Sequence, residues 1–340
     1  PRTFREAVQS LWFTFAFTRL CGNWSGIGRI DKMLGPYLEK DLKNGVITLD
    51  EAREILAHFF IKGCEWIQSD TPTGTGDAQH YQNIVLSGTD RDGRDVTNEV
   101  TYLVLDIVEE LAISDYPITV RLTDETDERL YRRIAEVMRY GGGILAVYNE
   151  PLILCSLAAF GYDPTEARDF ANDGCWEVQI PGRTNFTYMP FDAYTMLMRD
   201  TLGIGGVHKH YDTYDALLAA YLERLQGHVD DTYTALVDGM CEPDGQGGYR
   251  LKWFGIPAPL ISLFERDCIA TGRDYNAGGC RYTVRSPHIG GAPDAGNSLY
   301  AIRKAVFEDH LTTLDHLLDA IENDWVGEEV LRQRILTGYT

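Results

Sequence analysis

A thiol and a carboxylate two positions apart stand out as groups that could do chemistry. Cys175 and Glu177 lie within Asp173-Gly174-Cys175-Trp176-Glu177-Val178-Gln179-Ile180-Pro181-Gly182-Arg183-Thr184. On extended backbone, residues i and i+2 project to one side, so a thiol and a proton-exchanging carboxylate can face the same substrate. Gly174, Pro181 and Gly182 suit a shaped loop. On spacing alone a packing role for the cysteine stays open and is the commoner outcome, because cysteine is among the most buried residue types. Trp176, Phe186 and Tyr188 could line a flat, apolar pocket, with core packing as the alternative. Asn149, between Tyr148 and Glu150, could contact a substrate from a strand end or cap a helix opening at Pro151.

These groups need elements to position them. Thr3-Phe4-Arg5-Glu6 is a capping-box pattern, and Phe4, Val8, Leu11, Trp12 and Phe15 continue at helical spacing. Thr48-Leu49-Asp50-Glu51 repeats the cap before Ile55, Leu56, Phe59 and Phe60, and the helix closes near Gly63. A loop with Gly22, Gly26 and Gly28 is expected between the two helices. A further helix is predicted from Asn98 through Leu111, a strand over 118–122, a helix from Thr126 to the Gly141-Gly142-Gly143 stop, and a strand over 144–148. Strand, helix and strand over short connections point to an α/β architecture. Tyr214 to Leu225, Pro259 to Thr271 and a long Asn297 to Trp325 segment read as helical, and the stretch after Glu242 as a turn-rich break. With no internal repeat and no shift in composition, residues 1–340 are taken as one region.

Composition narrows the function. The 31 Lys plus Arg against 51 Asp plus Glu give a net charge of −20, which repels phosphate backbones, so no nucleic-acid partner is expected. No run reaches the ~18 apolar residues of a membrane span. The 7 cysteines are scattered and never spaced as C-x-x-C, which disfavours a disulfide framework and a zinc site and fits a reducing, cytoplasmic setting. Asp90-Arg91-Asp92-Gly93 lacks the remaining ligands of a calcium loop and reads as a hairpin turn. His208-Lys209-His210 reads as an exposed loop.

Several ordered stretches then carry a resemblance. Residues 27–40 are similar to a G-R-x-D…P-Y segment, and Asn83-Ile84-Val85-Leu86 with Asn98-Glu99-Val100 to N-x-x-L-G-G…T-N-E-L, Ser87 replacing the first glycine. Residues 117–150 are similar to P-x-x-x-V-R…G-G-G…Y-N-D/E, and Gly278-Gly279-Cys280-Arg281-Tyr282 with Asn297-Ser298-Leu299 through Phe307 to G-G-A-R-Y…D-S-L-x-A-I-x-K-x-V-F. Together they resemble the glycyl radical enzyme (pyruvate formate-lyase-like) family over nearly the whole chain.

The resemblance implies a ten-stranded α/β barrel, here incomplete, with surrounding helices and Cys175 at the tip of a loop inside it. It implies a Cys175 thiyl radical that abstracts a substrate hydrogen, with Glu177 as acid/base, in a lyase of dehydratase, decarboxylase or C–N/C–S type. Gly174 precedes Cys175 where pyruvate formate-lyase has a second cysteine, which disfavours formate C-acetyltransferase; a noncatalytic barrel subunit is the rival from another class. The His-Asp pair that follows P-G-K-T in diol and choline enzymes is absent from Pro181 to Pro190, which speaks against diol dehydration. The family's radical-bearing R-V-x-G-Y motif has no clear copy: Gly338-Tyr339 follows Arg334-Ile335-Leu336-Thr337, one residue too many. An internal fragment without the N-terminal part and the radical domain is therefore expected, unable to acquire a radical by itself. The resemblance also implies a small-molecule substrate, no directly bound cofactor or metal, a glycyl radical installed by an S-adenosylmethionine/iron-sulfur activating enzyme, a homodimer and an oxygen-free cytoplasm.

Overall fold

The computed structural model describes residues 1–20, 26–64, 82–113, 116–141, 145–174, 177–253 and 255–339. They fall into two compact units. The first comprises Pro1–Thr184, Pro257–Tyr275 and Gly279–Tyr282, the second Asn185–Ile256, Asn276–Gly278 and Thr283–Thr340.

In chain order the elements are α1 (Phe4–Leu20), α2 (Ile30–Lys43), α3 (Leu49–Gly63), β1 (Ile84–Ser87), α4 (Glu99–Leu111), β2 (Ile118–Leu122), α5 (Glu128–Met138), β3 (Leu145–Asn149), α6 (Glu150–Ala159), α7 (Pro164–Ala167), β4 (Ala171–Asp173), β5 (Glu177–Gln179), β6 (Thr184–Tyr188), β7 (Phe191–Asp192), α8 (Ala193–Thr195), α9 (Tyr214–Met240), β8 (Cys241–Pro243), β9 (Tyr249–Leu251), α10 (Pro259–Phe264), α11 (Arg266–Thr271), β10 (Tyr282–Ser286), β11 (Ile289–Gly290), α12 (Ala292–Ile302), α13 (Leu314–Glu322) and α14 (Glu329–Gly338).

The first unit is built on a parallel sheet ordered β1-β2-β3, with Ile84 opposite Ile118 and Ile118 opposite Leu145. Parallel neighbours require crossovers, and α4 and α5 supply them. β2 alternates polar and apolar residues, yet Ile118 through Arg121 are all buried, because a parallel sheet is covered on both faces. Among the described residues β3 has β2 on one side and no strand on the other, and its Val147 is exposed. Phe4, Ile30, Leu34, Leu56, Phe60, Ile84 and Val104 meet in the core of this unit.

Local signals explain most boundaries. At α3 the capping box is complete: Thr48 Oγ1 accepts from the Glu51 amide at 3.2 Å, and Glu51 Oε2 accepts from the Thr48 amide at 2.8 Å. At α1 only half of it forms. Thr3 Oγ1 accepts from the Glu6 amide, but the Glu6 carboxylate takes the Arg2 amide instead of the Thr3 amide. Asn98 caps α4, its Oδ1 accepting from the Val100 amide at 2.9 Å.

Two expectations need correction. The connection between the first and third helices is not only a glycine loop, since α2 occupies residues 30–43 of it. Gly35-Pro36 interrupts its apolar spacing, but Gly35 is needed, because a Cβ there would collide with the Asn98 side chain. The segment 297–325 is not one helix either. α12 runs into a π-helical turn at Arg303–Glu308, His310 takes a positive φ of 50°, and Thr313 caps α13 by accepting from the His316 amide.

The second unit packs Leu197, Leu202, Leu217, Leu317 and Leu318 into its own core. α9 extends fifteen residues past the predicted Leu225 to Met240. The turn-rich break after it is the tip of the β8–β9 hairpin, where Asp244 Oδ1 accepts from the Gln246 and Gly248 amides.

Candidate active site

The thiol–carboxylate segment folds as a hairpin in the first unit. β4 and β5 are antiparallel, with Ala171 opposite Gln179, Asn172 opposite Val178 and Asp173 opposite Glu177. Gly174, Cys175 and Trp176 connect them, and Cys175 and Trp176 lie outside the described residues. Asn83, just before β1, donates from Nδ2 to the Gly174 carbonyl at 3.0 Å and ties the connection to the sheet.

The approach to the hairpin is held by a buried ion network. Arg121 on β2 pairs with Glu150 at 2.8 Å, donates to the carbonyls of Phe170 and Arg168 at 2.8 Å each, and lies over the Phe170 ring at 3.8 Å. Burial, and then the charge of Arg29, pull Arg121 down to about 9. Arg29 reaches the carbonyls of Ser87 and Thr89, and Asp169 receives Arg29, Lys32 and Arg91. Each of the four cations meets a carboxylate, which is the condition for keeping charge inside a core, although the buried Arg29 Nε has no acceptor among the described residues. The backbone of 168–170 is therefore pinned immediately before β4.

Cross-strand partners in an antiparallel pair share a face, so Asp173 and Glu177 stand side by side. Glu177 is buried. Asp173 is pushed up to about 6, first by burial and also by the Glu177 charge, against the lowering pull of the Gly174 and Gly26 amides and Arg19. A Cβ on Gly26 would stand 2.7 Å from Asp173 Oδ1. The Tyr148 hydroxyl on β3 is raised by burial and by Glu177, which brings the strand end into the same electrostatic neighbourhood. Its ring stacks on Phe170, with centroids 6.4 Å apart. Asn172 points to the opposite face of β4. It is buried with both amide atoms unpaired, and Asn83 Oδ1 is likewise buried without a partner among the described residues. The site thus combines two neighbouring carboxyls, a tyrosine and the Asn83 amide, a set suited to moving protons on a polar ligand, while Asn172 lies on the other face.

The structure separates the sequence candidates. Glu177 stands in the hairpin of the first unit. Asn149, in the same unit, is exposed and caps α6, its Oδ1 accepting from the Leu152 amide at 3.0 Å. Phe186 and Tyr188 belong to the second unit, their rings edge-on at 5.0 Å, with Tyr188 also 4.6 Å from the His288 ring. His208, read as part of an exposed loop, lies against Glu322 and Asp319 at 3.2 and 3.5 Å with its side chain largely covered, whereas His210 is exposed. Asp90 closes its turn by accepting from the Asp92 and Arg94 amides at 2.9 Å, as a hairpin turn requires. Sequence reasoning passed over Asp173 and Asn83. Asp173 was detectable as a carboxyl two positions before Cys175; the role of Asn83 depends on a contact 91 residues away in sequence.

A family model described as pyruvate formate lyase-like matches residues 1–339. Trans-4-hydroxy-L-proline dehydratase of Clostridioides difficile is 28% identical, over 97% of this chain and 43% of its own length. Isethionate sulfite-lyase of Bilophila wadsworthia is 29% identical, over 99% and 42%. The glycerol-bound B12-independent glycerol dehydratase from Clostridium butyricum superposes with a TM-score of 0.80 at 26% identity, covering 100% of this chain and 44% of that one. The chain spans less than half the length of the curated relatives it matches. Its mixed helix and parallel-sheet fold is of the glycyl radical enzyme type, and no closed barrel forms among the described residues. With all but the last residue inside the family match, the chain belongs to the pyruvate formate lyase-like, or glycyl radical enzyme, family.

Proposed function

We propose that the chain carries the cysteine–glutamate part of the active site of a glycyl radical lyase acting on a small polar molecule. The observation that carries this reading is the placement of Glu177. Its buried carboxylate opens β5 beside Asp173, on the hairpin whose connecting residues include Cys175. In this reading the Cys175 sulfur, as a thiyl radical, takes a hydrogen atom from a substrate carbon. Glu177 exchanges a proton with the neighbouring group while the adjacent bond to the leaving group breaks, and the product radical takes the hydrogen back from Cys175. The radical itself comes from a glycine outside this chain, installed by an S-adenosylmethionine/iron-sulfur activating enzyme, in a homodimer working without oxygen in the cytoplasm. Among the described residues no helix is long and apolar enough to cross a membrane.

Support comes from relatives whose names span a hydroxyproline dehydratase, a sulfopropanediol dehydratase, a carbon–sulfur lyase and an indoleacetate decarboxylase. Gly174 before Cys175 keeps formate C-acetyltransferase in second place. Trp176, Phe186 and Tyr188 are proposed to shape the pocket, and Asn149 to assist from the strand end.

The test begins with the coding sequence beyond Thr340, where an R-V-x-G-Y motif is expected; a stop codon there would favour a noncatalytic subunit. The complete gene product, activated under argon, is then assayed against hydroxyproline, sulfopropanediol, isethionate and arylacetates. Cys175→Ala should reduce turnover to background, and Glu177→Gln should slow it by roughly 10²- to 10⁴-fold. Full activity in Cys175→Ala would end the thiyl reading.

A further inference from the structure

Two thiols far from the hairpin in sequence meet inside the first unit. Cys268, on α11, is 3% exposed, and Cys280, just before β10, is partly exposed; their sulfurs are 3.8 Å apart. A disulfide holds its sulfurs about 2.05 Å apart, so closing the pair would bring the two sulfurs less than about 2 Å closer. The approach is built in by Gly279. A Cβ at that position would stand 2.6 Å from Cys268 Sγ and collide with the Arg273 carbonyl. The Cys280 thiol donates to Glu265 Oε2 at 3.7 Å. No group of three metal-ligating side chains gathers among the described residues.

We propose that Cys268 and Cys280 form a reversible dithiol–disulfide site for small organic disulfides, with Cys280 reacting first, Cys268 resolving and Glu265 accepting the thiol proton. In the first step Cys280 passes its proton to the Glu265 carboxylate. Its sulfur attacks one sulfur of the external disulfide, breaking that S–S bond and releasing one thiolate. In the second step the Cys268 thiol loses its proton and its sulfur attacks Cys280 Sγ, expelling the second thiolate. The two released thiolates take up the two protons. Overall the protein dithiol is oxidised by two electrons, and the external disulfide is reduced to two thiols.

The order of attack follows from access, since only Cys280 is reachable from outside. Burial, with Asp267 adding to it, lifts Glu265 to about 7, so the carboxylate can hold the proton near neutrality. Burial and the charge of Glu265 raise both thiols, with Asp274 and Asp267 adding to the effect at Cys268. The resting pair is therefore protonated, and the thiolate needed for attack is scarce, so the exchange is slow. Closure would tether α11 to the residues before β10, where Arg281 and Tyr282 reach Glu166 at 3.1 and 2.7 Å.

The experiment uses the complete protein, reduced under argon and then incubated with bis(2-hydroxyethyl) disulfide. Free thiols are trapped with N-ethylmaleimide, and peptides are read by mass spectrometry. The expected result is a Cys268–Cys280 cross-linked peptide, lighter by two hydrogens than its reduced halves and reopened by dithiothreitol. In Cys268→Ser the reagent should remain on Cys280 as a stable mixed disulfide, and in Cys280→Ser Cys268 should stay unmodified by it. The proposal is overturned if the wild-type protein keeps the reagent on Cys280 without forming the link, or if both thiols reach the alkylating step untouched.

Discussion

Asp173 shows how a neighbour changes what a carboxyl does. An aspartate ordinarily titrates near 3.9, and this one is held at about 6 by burial and by Glu177. Between those values the folded protein binds more protons than the unfolded chain, so the group's contribution to stability falls as pH rises through that window and is fully unfavourable above it. Asp173→Asn should therefore raise the melting temperature at pH 7 and lose most of that advantage at pH 4, as read by calorimetry across the range. An advantage independent of pH would show that Asp173 is not the titrating group. Cys175 and Glu177 were legible in the sequence because residue type and an i, i+2 spacing suffice to notice them. The place of Glu177 beside Asp173 was not, because strand register decides which carboxyls are neighbours. Ser87 is a similar case. The sequence marks it as standing where the family has glycine, and the structure shows why the difference matters, since its φ of 60° is a conformation glycine adopts with less strain.

At the scale of elements, capping chemistry proved a reliable guide and apolar spacing a partial one. Thr48 and Asn98 announced α3 and α4 because a short polar side chain before an apolar run has few other uses. α2 escaped because Gly35-Pro36 looks like a break, whereas Gly35 is there to let α2 lie close against the start of α4. Gly35→Ala should accordingly destabilise the protein by about 1–3 kcal/mol, the range for forcing extra volume into a packed contact, measurable by urea unfolding. A change within experimental error would mean that the Asn98 side chain moves aside at no cost. The split of 297–325 was hidden for the opposite reason. Apolar residues recur at helical spacing on both sides of His310, and only a positive φ and the Thr313 cap interrupt the run.

For the molecule as a whole, composition and ordered motifs gave the family and the α/β class, because both are spread along the entire chain and survive local misreading. The division into two units was not legible, since it is made by contacts between segments distant in sequence, with 257–275 and 279–282 returning to the first unit. The open side of β3 bears on how the protein behaves in a tube. A strand with no strand partner on one edge among the described residues, and with Val147 exposed, is a seed for edge-to-edge association despite the repulsion expected from a charge of −20. For the 340-residue chain by itself, light scattering should climb with concentration and with added salt, and Val147→Lys should flatten that climb. Shelf life and crystal growth would then be governed by this one strand, and a buffer of low ionic strength would be the better place to keep the protein.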